Sequence, residues 1–311
     1  MIIITGGRGP LGRAFQEMVD IEKSQSYLFP TSSECDLTQT NALANYVGSI
    51  GNPEIEGIIH LAAFSGGAQL SREKPASMIT KNLLMTINVL EFARAFGINR
   101  VILCLSTTCY STELLAPNED KLHLLPQQGV DYAYAWAKRS MEPFMRAYNE
   151  QYRMSISCVL VNGIIGPHMN FRDGEMILPA ALIKRFYSAL QSNSHDFSIL
   201  TDGSEIREYT LSTDLAHAVS WCYNNQQPNT LLNIGSTEQV TVRSAAVAIA
   251  KSLGIDEKKL EFGGKELISR AVQSTDNSRF RALSKFKYTN FDESINKTIN
   301  WYLSNINSKE K

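Results

Sequence analysis

The chain has 311 residues and a mass of 34.7 kDa, which predicts two domains or one core with an added lobe. Thirty basic and 31 acidic residues nearly cancel, so no strong field is available to attract nucleic acid or an anionic membrane. The five cysteines form no Cys-x-x-Cys pair, which favours reduced thiols over disulfides or a zinc site. We find no signal-peptide pattern and no apolar run of about 20 residues, and therefore expect a cytoplasmic protein.

Short apolar runs alternate with longer amphipathic stretches through the first half of the chain. The predicted strands are 2–5, 27–30, 57–62, 101–105 and 156–161. The predicted helices are 11–20, 41–50, 75–96 and 133–152. This alternation is typical of a parallel sheet covered by helices on both faces. The sequence therefore predicts an α/β fold with a doubly wound, Rossmann-type sheet.

The alternation loosens after about residue 165, where a Gly/Asp loop at 172–174 precedes a helix at 178–190. We expect residues 1–165 to form a dinucleotide-binding domain and 166–311 a smaller C-terminal α/β lobe for the substrate. Some segments of that lobe should return to the first domain. Because no Pro- or Ser-rich linker separates the two parts, they should pack closely with the ligand site between them.

A glycine-rich loop covers residues 5–12, Thr-Gly-Gly-Arg-Gly-Pro-Leu-Gly, between the first strand and the first helix. Glycines in this position let the backbone approach a pyrophosphate, whose charge the helix N-terminus stabilises. The residues predicted to contact a dinucleotide are Gly6, Gly9, Leu11 and Gly12. The alternative is a tight turn without a ligand.

The end of the second strand bears on which dinucleotide binds. An NAD enzyme usually has a carboxylate there for the ribose 2′-hydroxyl, but residues 28–33 read Leu-Phe-Pro-Thr-Ser-Ser, and Glu34 comes later. Arg8 and the hydroxyls at 31–33 would instead suit a 2′-phosphate. The sequence favours NADP, with NAD as the alternative if Glu34 reaches the ribose.

Tyr134 and Lys138 lie four residues apart in a predicted helix, so their side chains share one face. In this arrangement the ammonium can lower the pKa of the phenol and bind a nicotinamide ribose, while the phenol transfers a proton. Ser106 follows the strand 101–105, at the carboxyl edge of the sheet, where its hydroxyl can bond to the same substrate oxygen. These are the three predicted catalytic residues; the alternative is an amphipathic helix with a packed tyrosine and an exposed lysine.

Together these motifs resemble the extended short-chain dehydrogenase/reductase family of nucleotide-sugar epimerases, dehydratases and reductases, over nearly the whole chain. Further likeness lies in 60–63 (His-Leu-Ala-Ala) and in 203–209 with Asp214. The resemblance implies that Arg207 contacts the sugar nucleotide and that the enzyme is a homodimer, joined through helices 75–96 and 133–152. It assigns to the cofactor site, besides the glycine loop, Asp36, Leu37, Ala62, Ala63, Asn82 and Lys138.

Within this family the chain is most similar to the NADPH-dependent epimerase-reductases of GDP-4-keto-6-deoxymannose. The likeness lies in residues 7–9, 62–67, 166–171 and 179–186. An arginine in the glycine loop of those enzymes contacts the 2′-phosphate, which by resemblance strengthens the NADP prediction for Arg8. The substrate contacts that the resemblance implies are Thr108, Asn162, Lys184, Arg185 and Arg207.

The chain departs from that branch where epimerisation takes place. The branch has Ser-Ser-Cys-x-Tyr after the fourth strand, with the cysteine as the base, whereas Thr108 stands in that place here and Cys109 comes one residue late. On an extended segment, a shift of one residue turns a side chain to the other face. The branch's acid, a histidine, falls on Met176 or Ile177, neither of which transfers a proton, and Glu175 is the nearest ionisable side chain.

The sequence therefore predicts an NADPH-dependent reductase of the C4 keto group of a nucleotide-activated sugar, GDP-linked by resemblance and either a 6-deoxyhexose or a heptose. Such a reaction belongs to deoxysugar and polysaccharide biosynthesis. Tyr134 would donate the proton, and C3/C5 epimerisation is not expected. The alternatives are a full epimerase-reductase, in which Cys109 or Glu175 takes over the proton transfers, and a C4 epimerase or C4 dehydrogenase. A 4,6-dehydratase would need carboxylates at 107–108, where two threonines stand.

Overall fold

A computed structural model describes residues 1–21, 27–125, 129–192, 194, 196–225, 227–263 and 273–306. The strands are β1 (Ile2–Thr5), β2 (Tyr27–Leu28), β3 (Gly57–His60), β4 (Arg100–Ser106), β5 (Ser155–Val161), β6 (Gly163–Ile165), β7 (Ser198–Ile199), β8 (Ile206–Leu211), β9 (Leu231–Ile234), β10 (Gln239–Thr241) and β11 (Glu261–Phe262). The helices are α1 (Pro10–Ile21), α2 (Ala42–Ser49), α3 (Ala68–Glu73), α4 (Pro75–Ala95), α5 (Tyr132–Arg139), α6 (Met141–Tyr152), α7 (Leu178–Ser192), α8 (Ser212–Asn225), α9 (Val242–Ser252), α10 (Ser278–Ser284) and α11 (Phe291–Ile306). Within these ranges, no helix combines the length and the apolar character that crossing a bilayer requires.

The main sheet has six parallel strands in the order β2-β1-β3-β4-β5-β9. The strand order reverses between β1 and β3, and at such a point the carboxyl ends of the strands open a crevice for a ligand. This topology confirms the predicted doubly wound, Rossmann-type sheet. Its last strand, β9, comes from the second half of the chain and pairs with β5, with Ile234 opposite Val161, so the sheet is not complete within residues 1–165.

Apolar layers cover both faces of this sheet, which is why its strands read as continuous hydrophobic runs. Alternate residues of each strand point to opposite faces. Ile58 and Leu103 lie in the layer that packs against α4 and α6. Ile59 and Ile102 lie in the opposite layer, against α1 and α8. The parallel strands thus hold their carboxyl ends in a rigid row on which the candidate site is built.

The predicted single helix over 133–152 was wrong, because this stretch forms two helices, α5 and α6, that meet at Ser140. Pro143 has no N–H to donate to the carbonyl of Arg139, and its ring crowds the preceding turn. The hydroxyl of Ser140 instead donates to the carbonyl of Ala137 at 2.7 Å. The break lets α5 lie over the end of β4 while α6 packs along β5.

The second half of the chain builds a smaller core from α7, α9 and α11, centred on side chains such as Phe186, Ile249 and Ile295. A mixed sheet borders it, in which β8 runs antiparallel to β10 and parallel to β6. Since β6 follows directly after β5, this sheet lies at the carboxyl edge of the main one. Residues of β8 therefore come close to the crevice.

Candidate active site

The glycine loop lies against the segment that follows β3. Gly6 has a φ of +76°, and a Cβ there would lie 2.8 Å from the backbone nitrogen of Ala62. At Gly12, a Cβ would lie 2.3 Å from the carbonyl oxygen of Gly6. Only glycine fits at these two positions. Without side chains there, the loop packs closely against the start of α1, which includes Leu11. This cradle at a helix N-terminus fits a pyrophosphate.

Gly9 differs from these two glycines. A Cβ at Gly9 would meet only the carbonyl oxygen of Gly6, at 3.4 Å, which is an ordinary contact distance. The fold alone therefore does not require glycine at this position. A ligand that approaches the backbone closely supplies a reason for it.

Arg8 and Glu34 face each other at the far end of the loop, where the choice between NAD and NADP would be made. The Glu34 carboxylate accepts hydrogen bonds from the Thr31 hydroxyl at 2.6 Å and the Thr31 N–H at 2.9 Å. These bonds, and to a smaller degree the charge of Arg8, hold the pKa of Glu34 below its usual value. Glu34 thus closes its own turn, while the exposed Arg8 points its charge to the same place. This arrangement fits a 2′-phosphate better than a free ribose hydroxyl.

Asp36 and Leu37 lie beside this turn. The Asp36 carboxylate accepts from the hydroxyl and the N–H of Thr38 at 2.8 and 3.0 Å, and these bonds lower its pKa. Leu37 is buried, and its carbonyl accepts from the Asn88 amide at 2.8 Å. Both predicted cofactor residues are thus held in place, and Asp36 remains exposed.

Asn82 shapes the loop that carries Ala62 and Ala63. It is buried in α4, and its amide accepts from the N–H of Phe64 at 3.0 Å and donates to the carbonyl of the same residue at 2.9 Å. Its NH₂ group also donates to the Met78 carbonyl at 2.7 Å. Asn82 therefore fixes the backbone that borders the cofactor site, and its direct contact with a cofactor stays a prediction.

The three predicted catalytic residues meet at the carboxyl end of β4. Lys138 is only 2% exposed, and its ammonium donates to the Cys104 carbonyl at 2.8 Å. Burial lowers the pKa of Lys138. Burial also raises the pKa of Tyr134 far above its usual value, and a hydrogen bond with Ser106 opposes this rise. The group combines a proton donor, a hydroxyl partner and a cation, which is what proton transfer to a developing alkoxide requires.

His60 ends β3 and lies close enough to Lys138 to feel its charge; the sequence had marked it only as the first residue of the family-like segment 60–63. Its Nδ1 is 2.9 Å from the hydroxyl of Thr5, the residue opposite it on β1. Its Nε2 has no hydrogen-bond partner among the described residues. Burial, and then the charge of Lys138, lower the pKa of His60 to about 3, so the ring is neutral at neutral pH. Two polar residues at the ends of adjacent strands were the sequence signal for this pair.

Residues Thr107–Cys109 form one turn of 3-10 helix directly after β4, so the expectation of an extended segment here was wrong. Cys109 is fully buried, and its carbonyl accepts from the Arg139 guanidinium at 2.9 Å. The turn brings Thr108 back over Ser106, whose hydroxyl oxygen accepts from the Thr108 hydroxyl at 3.0 Å and from its N–H at 3.3 Å. Thr108 thus bonds directly to Ser106, and the buried Cys109 lies close enough to act electrostatically on Tyr134 and Lys138.

The segment around Glu175 packs against the loop after β3. The N–H of Gly67 donates to the Glu175 carbonyl at 3.1 Å, and a Cβ at Gly67 would lie 2.1 Å from the carbonyl oxygen of Met176. The Glu175 carboxylate accepts from the Asn170 amide at 2.9 Å. Met176 and Ile177 pack against the apolar core of the second lobe. The only ionisable side chain in 175–177 is therefore engaged within its own loop.

Arg207 lies half-buried on β8 and donates to the Ile206 carbonyl at 2.7 Å. Burial lowers its pKa, and Tyr209, Glu205 and Asp131 oppose that effect. Asp131 directly precedes α5, so Arg207 reaches the end of the helix that carries Tyr134. This placement fits the predicted contact with a sugar nucleotide.

The other predicted substrate residues have bonds within the protein. Lys184 pairs with Asp173 at 2.8 Å, and Arg185 donates to the Ser198 carbonyl at 2.8 Å. The amide of Asn162 donates to the Ser236 carbonyl at 2.7 Å and accepts from the Thr210 hydroxyl at 2.6 Å. For these three residues, contact with a substrate stays a prediction.

Glu208, the neighbour of Arg207, is a buried carboxyl that sequence patterns did not reveal. Burial raises its pKa to about 7, although hydrogen bonds from Thr275 oppose the rise. The Thr275 hydroxyl and N–H donate to it at 2.8 and 3.0 Å. Because the two residues are far apart in the chain, no local pattern could have predicted the pair. The bonds tie β8 to the segment that follows residue 272.

Comparison with known proteins agrees with this geometry. The NAD dependent epimerase/dehydratase family matches residues 2–235. The GDP-L-fucose synthase of Dictyostelium discoideum is 27% identical over 318 aligned positions, which cover 100% of this chain and 97% of that protein. A crystal structure of a GDP-L-fucose synthetase from Naegleria fowleri bound to NADP has a TM-score of 0.90 and 27% identity, covering 100% of this chain and 94% of that one. A GDP-mannoheptose C4 reductase from Campylobacter jejuni with NADP bound shares the fold, with a TM-score of 0.83 at 21% identity over 97% of this chain and 98% of that one.

Proposed function

The chain belongs to the NAD dependent epimerase/dehydratase family, and from that premise we propose that it is an NADPH-dependent reductase of the C4 keto group of a GDP-linked sugar, a 6-deoxyhexose or a heptose. One contrast carries the proposal. Ser106, Tyr134 and Lys138 lie together at the edge of the sheet, whereas Thr108 stands where an epimerase would need a base, and Met176 or Ile177 where it would need an acid. Reduction without C3/C5 epimerisation is the reaction that this set of side chains supports.

The glycine cradle and Arg8 support NADPH as the cofactor. Gly6 and Gly12 let the loop pack tightly at the N-terminus of α1, where a pyrophosphate can bind, and Arg8 with the turn at Thr31 suits a 2′-phosphate. Lys138 would hold the nicotinamide ribose. When bound, NADPH supplies the hydride that C4 receives. The NADP in the Naegleria synthetase structure supports the same choice.

The chain's own part in the reaction is the proton transfer to the C4 oxygen. Tyr134 donates its proton to that oxygen as the C4 carbonyl becomes an alcohol, and Ser106 bonds to Tyr134 and supports the phenolate that remains. The buried ammonium of Lys138 adds positive charge near the phenolate. In a site shielded from water, such fixed donors and charges stabilise a developing negative charge strongly.

Epimerisation at C3 and C5 needs a base that removes the proton next to the keto group and an acid that returns one to the opposite face. A threonine hydroxyl is not deprotonated at neutral pH and therefore cannot serve as that base. Cys109 is fully buried, and the Glu175 carboxylate is bonded to Asn170. These contacts disfavour the second candidate function, the full epimerase-reductase.

We further propose a homodimer in the cytoplasm that acts in deoxysugar or polysaccharide biosynthesis. Leu84 on α4 and Trp136 on α5 are 39% and 44% exposed, and the two helices pack against each other. All five cysteines are buried and none forms a disulfide, which suits a reducing compartment. Light scattering at several concentrations would test the dimer.

Turnover in D₂O tests the proposed reaction. GDP-4-keto-6-deoxymannose is incubated with the enzyme and either NADPH or NADH, and the product is examined by NMR for deuterium at C3 and C5. We expect a C4-reduced sugar, formed faster with NADPH, without enzyme-dependent deuterium. The matched control omits the enzyme, because the sugar alone in D₂O measures the spontaneous exchange of protons next to the keto group.

The other outcomes separate the alternatives. Deuterium at both carbons above the control level, with inverted configuration, would overturn the proposal in favour of an epimerase-reductase. Absence of turnover with this sugar and with the corresponding GDP-4-keto-heptose would overturn the substrate assignment. Equal rates with NADH and NADPH would contradict the role of Arg8.

A further inference from the structure

Thr108 makes two hydrogen bonds to one atom, the hydroxyl oxygen of Ser106. Its own hydroxyl donates at 3.0 Å, and its N–H donates at 3.3 Å. A serine hydroxyl has two acceptor lone pairs and one proton. With both lone pairs engaged by Thr108, the Ser106 hydroxyl is left to act as a donor.

The partner that receives this proton is Tyr134. Ser106 interacts with the Tyr134 phenol, and because Thr108 engages the lone pairs of Ser106, the Ser106 hydroxyl can take part only as the donor. The bonds thus run in one direction, from Thr108 to Ser106 to Tyr134. Since the phenol oxygen accepts from Ser106, the phenol's own proton is free to point into the crevice. Bonds aligned in one direction also strengthen each other.

We propose that Thr108 is a positioning residue, which fixes the direction of the Ser106 proton and thereby makes the Tyr134 proton the one that reaches the C4 oxygen. This inference rests on the proposed reductase function and deepens it. At the position where the epimerase-reductases have a base, this chain has a donor that orders the reducing group. Loss of epimerisation and better ordering of reduction would then follow from the same residue.

The neighbouring Thr107 provides a matched control. It belongs to the same 3-10 turn and is also buried. Its hydroxyl, however, accepts from the Gln273 amide at 3.4 Å. Thr107→Val and Thr108→Val therefore remove the same group from adjacent positions, and only the second removes a bond to Ser106.

The test compares Thr108→Val, Thr108→Ser and Thr107→Val in the presence of NADPH and a GDP-4-keto sugar. Loss of one oriented hydrogen bond should lower kcat of Thr108→Val about tenfold, with KM within about twofold. Thr108→Ser keeps the hydroxyl and should restore kcat. Thr107→Val should keep kcat within about twofold. A Thr108→Val enzyme with the wild-type kcat would overturn the inference while the proposed reductase function stands.

The reverse reaction supplies a readout that a merely structural role would not move. Oxidation of the C4 alcohol with NADP needs Tyr134 as a phenolate, so the rate rises with pH through the pKa of that phenol. Thr108→Val removes a donor that supports the phenolate, so the rise of its rate should move to higher pH. The rise should stay in place in Thr107→Val. The same pH dependence in Thr108→Val and the wild type would contradict the inference.

A measurement without turnover keeps the two proposals distinguishable. Enzyme with ¹³Cζ-labelled tyrosine is prepared with NADP bound, and the Tyr134 signal is assigned as the one missing in Tyr134→Phe. The signal should move in Thr108→Val and remain in place in Thr107→Val. If the wild type reduces no GDP-4-keto sugar, the proposed function falls, and this experiment still decides the inference: an unmoved Tyr134 signal overturns it.

Discussion

The two sides of the crevice are built in different ways. On the side of Tyr134, called here the reducing side, His60 on β3 and Lys138 on α5 are both buried, and the Lys138 ammonium is bonded to the backbone of β4. On the other side, in the loop 170–176, the side chain of Glu175 is 35% exposed and that of Asp173 is 85% exposed. A group that is part of the core cannot change without cost to the fold, whereas loop residues can. The difference supports the proposed reaction, in which reduction is kept and epimerisation is lost.

Removal of the Tyr134 hydroxyl should abolish most of the reduction. We expect Tyr134→Phe to lower kcat about 1000-fold, within the range for loss of a general acid. NADPH should still bind, because the contacts proposed for it lie in the glycine loop and at Lys138. Steady-state rates and fluorescence titration with NADPH measure the two effects. Activity close to that of the wild type would show that another group donates the proton.

A substitution of Arg8 tests the proposed contact with the 2′-phosphate of the cofactor. Arg8→Ala removes the charge that faces the Thr31 turn, and loss of a charge-assisted hydrogen bond corresponds to an affinity about 10–100-fold lower for NADPH. Affinity for NADH, which has no 2′-phosphate, should remain within about twofold. Titration of both dinucleotides gives the comparison. An equal loss for both would mean that Arg8 supports the loop and does not read the phosphate.

The buried His60 makes the reducing side sensitive to acid. Its pKa is about 3 in the folded chain and about 6.5 when unfolded, so between these values the unfolded chain binds the additional proton. The free energy of unfolding should therefore fall as the pH drops from about 6.5 toward 3, by up to about 1.4 kcal/mol per pH unit from this residue. Urea unfolding at a series of pH values measures this slope.

His60→Gln should flatten that slope, because glutamine does not titrate. His217 is exposed on α8, so His217→Gln is the matched control and should leave the slope as it is in the wild type. A His60→Gln protein with the wild-type slope would contradict the neutral state of His60. The exposed loop on the other side of the crevice should contribute little to this slope.

Local sequence patterns predicted the parts of the site that depend on short spacings. Tyr134 and Lys138 are one helical turn apart, and Gly12 opens a helix after a strand, so spacing alone indicated their placement. The bond from Thr108 to Ser106 could not be predicted, because it needs a 3-10 turn where the pattern suggested an extended segment. The pairing of Glu208 with Thr275 joins residues 67 positions apart, which no local pattern encodes.

The smallest effect is expected from a variant that restores a base for epimerisation. Thr108→Cys places a thiol next to the catalytic group, where it can remove a proton from the carbon beside the keto group. No acid stands at Met176 to return a proton to the opposite face. We therefore expect a low level of deuterium in the product in D₂O, with the configuration at C3 and C5 retained. NMR of the product measures both.

Thr108→Ser is the control for this experiment, since serine has nearly the shape of cysteine and cannot act as a base, and it should show no deuterium above the background measured without enzyme. Adding Met176→His to Thr108→Cys should then produce a fraction of inverted sugar. Inversion by Thr108→Cys alone would mean that a residue other than Met176 already supplies the acid. In that case the chain would lack only the base at position 108, and a single side chain would separate it from an epimerase-reductase.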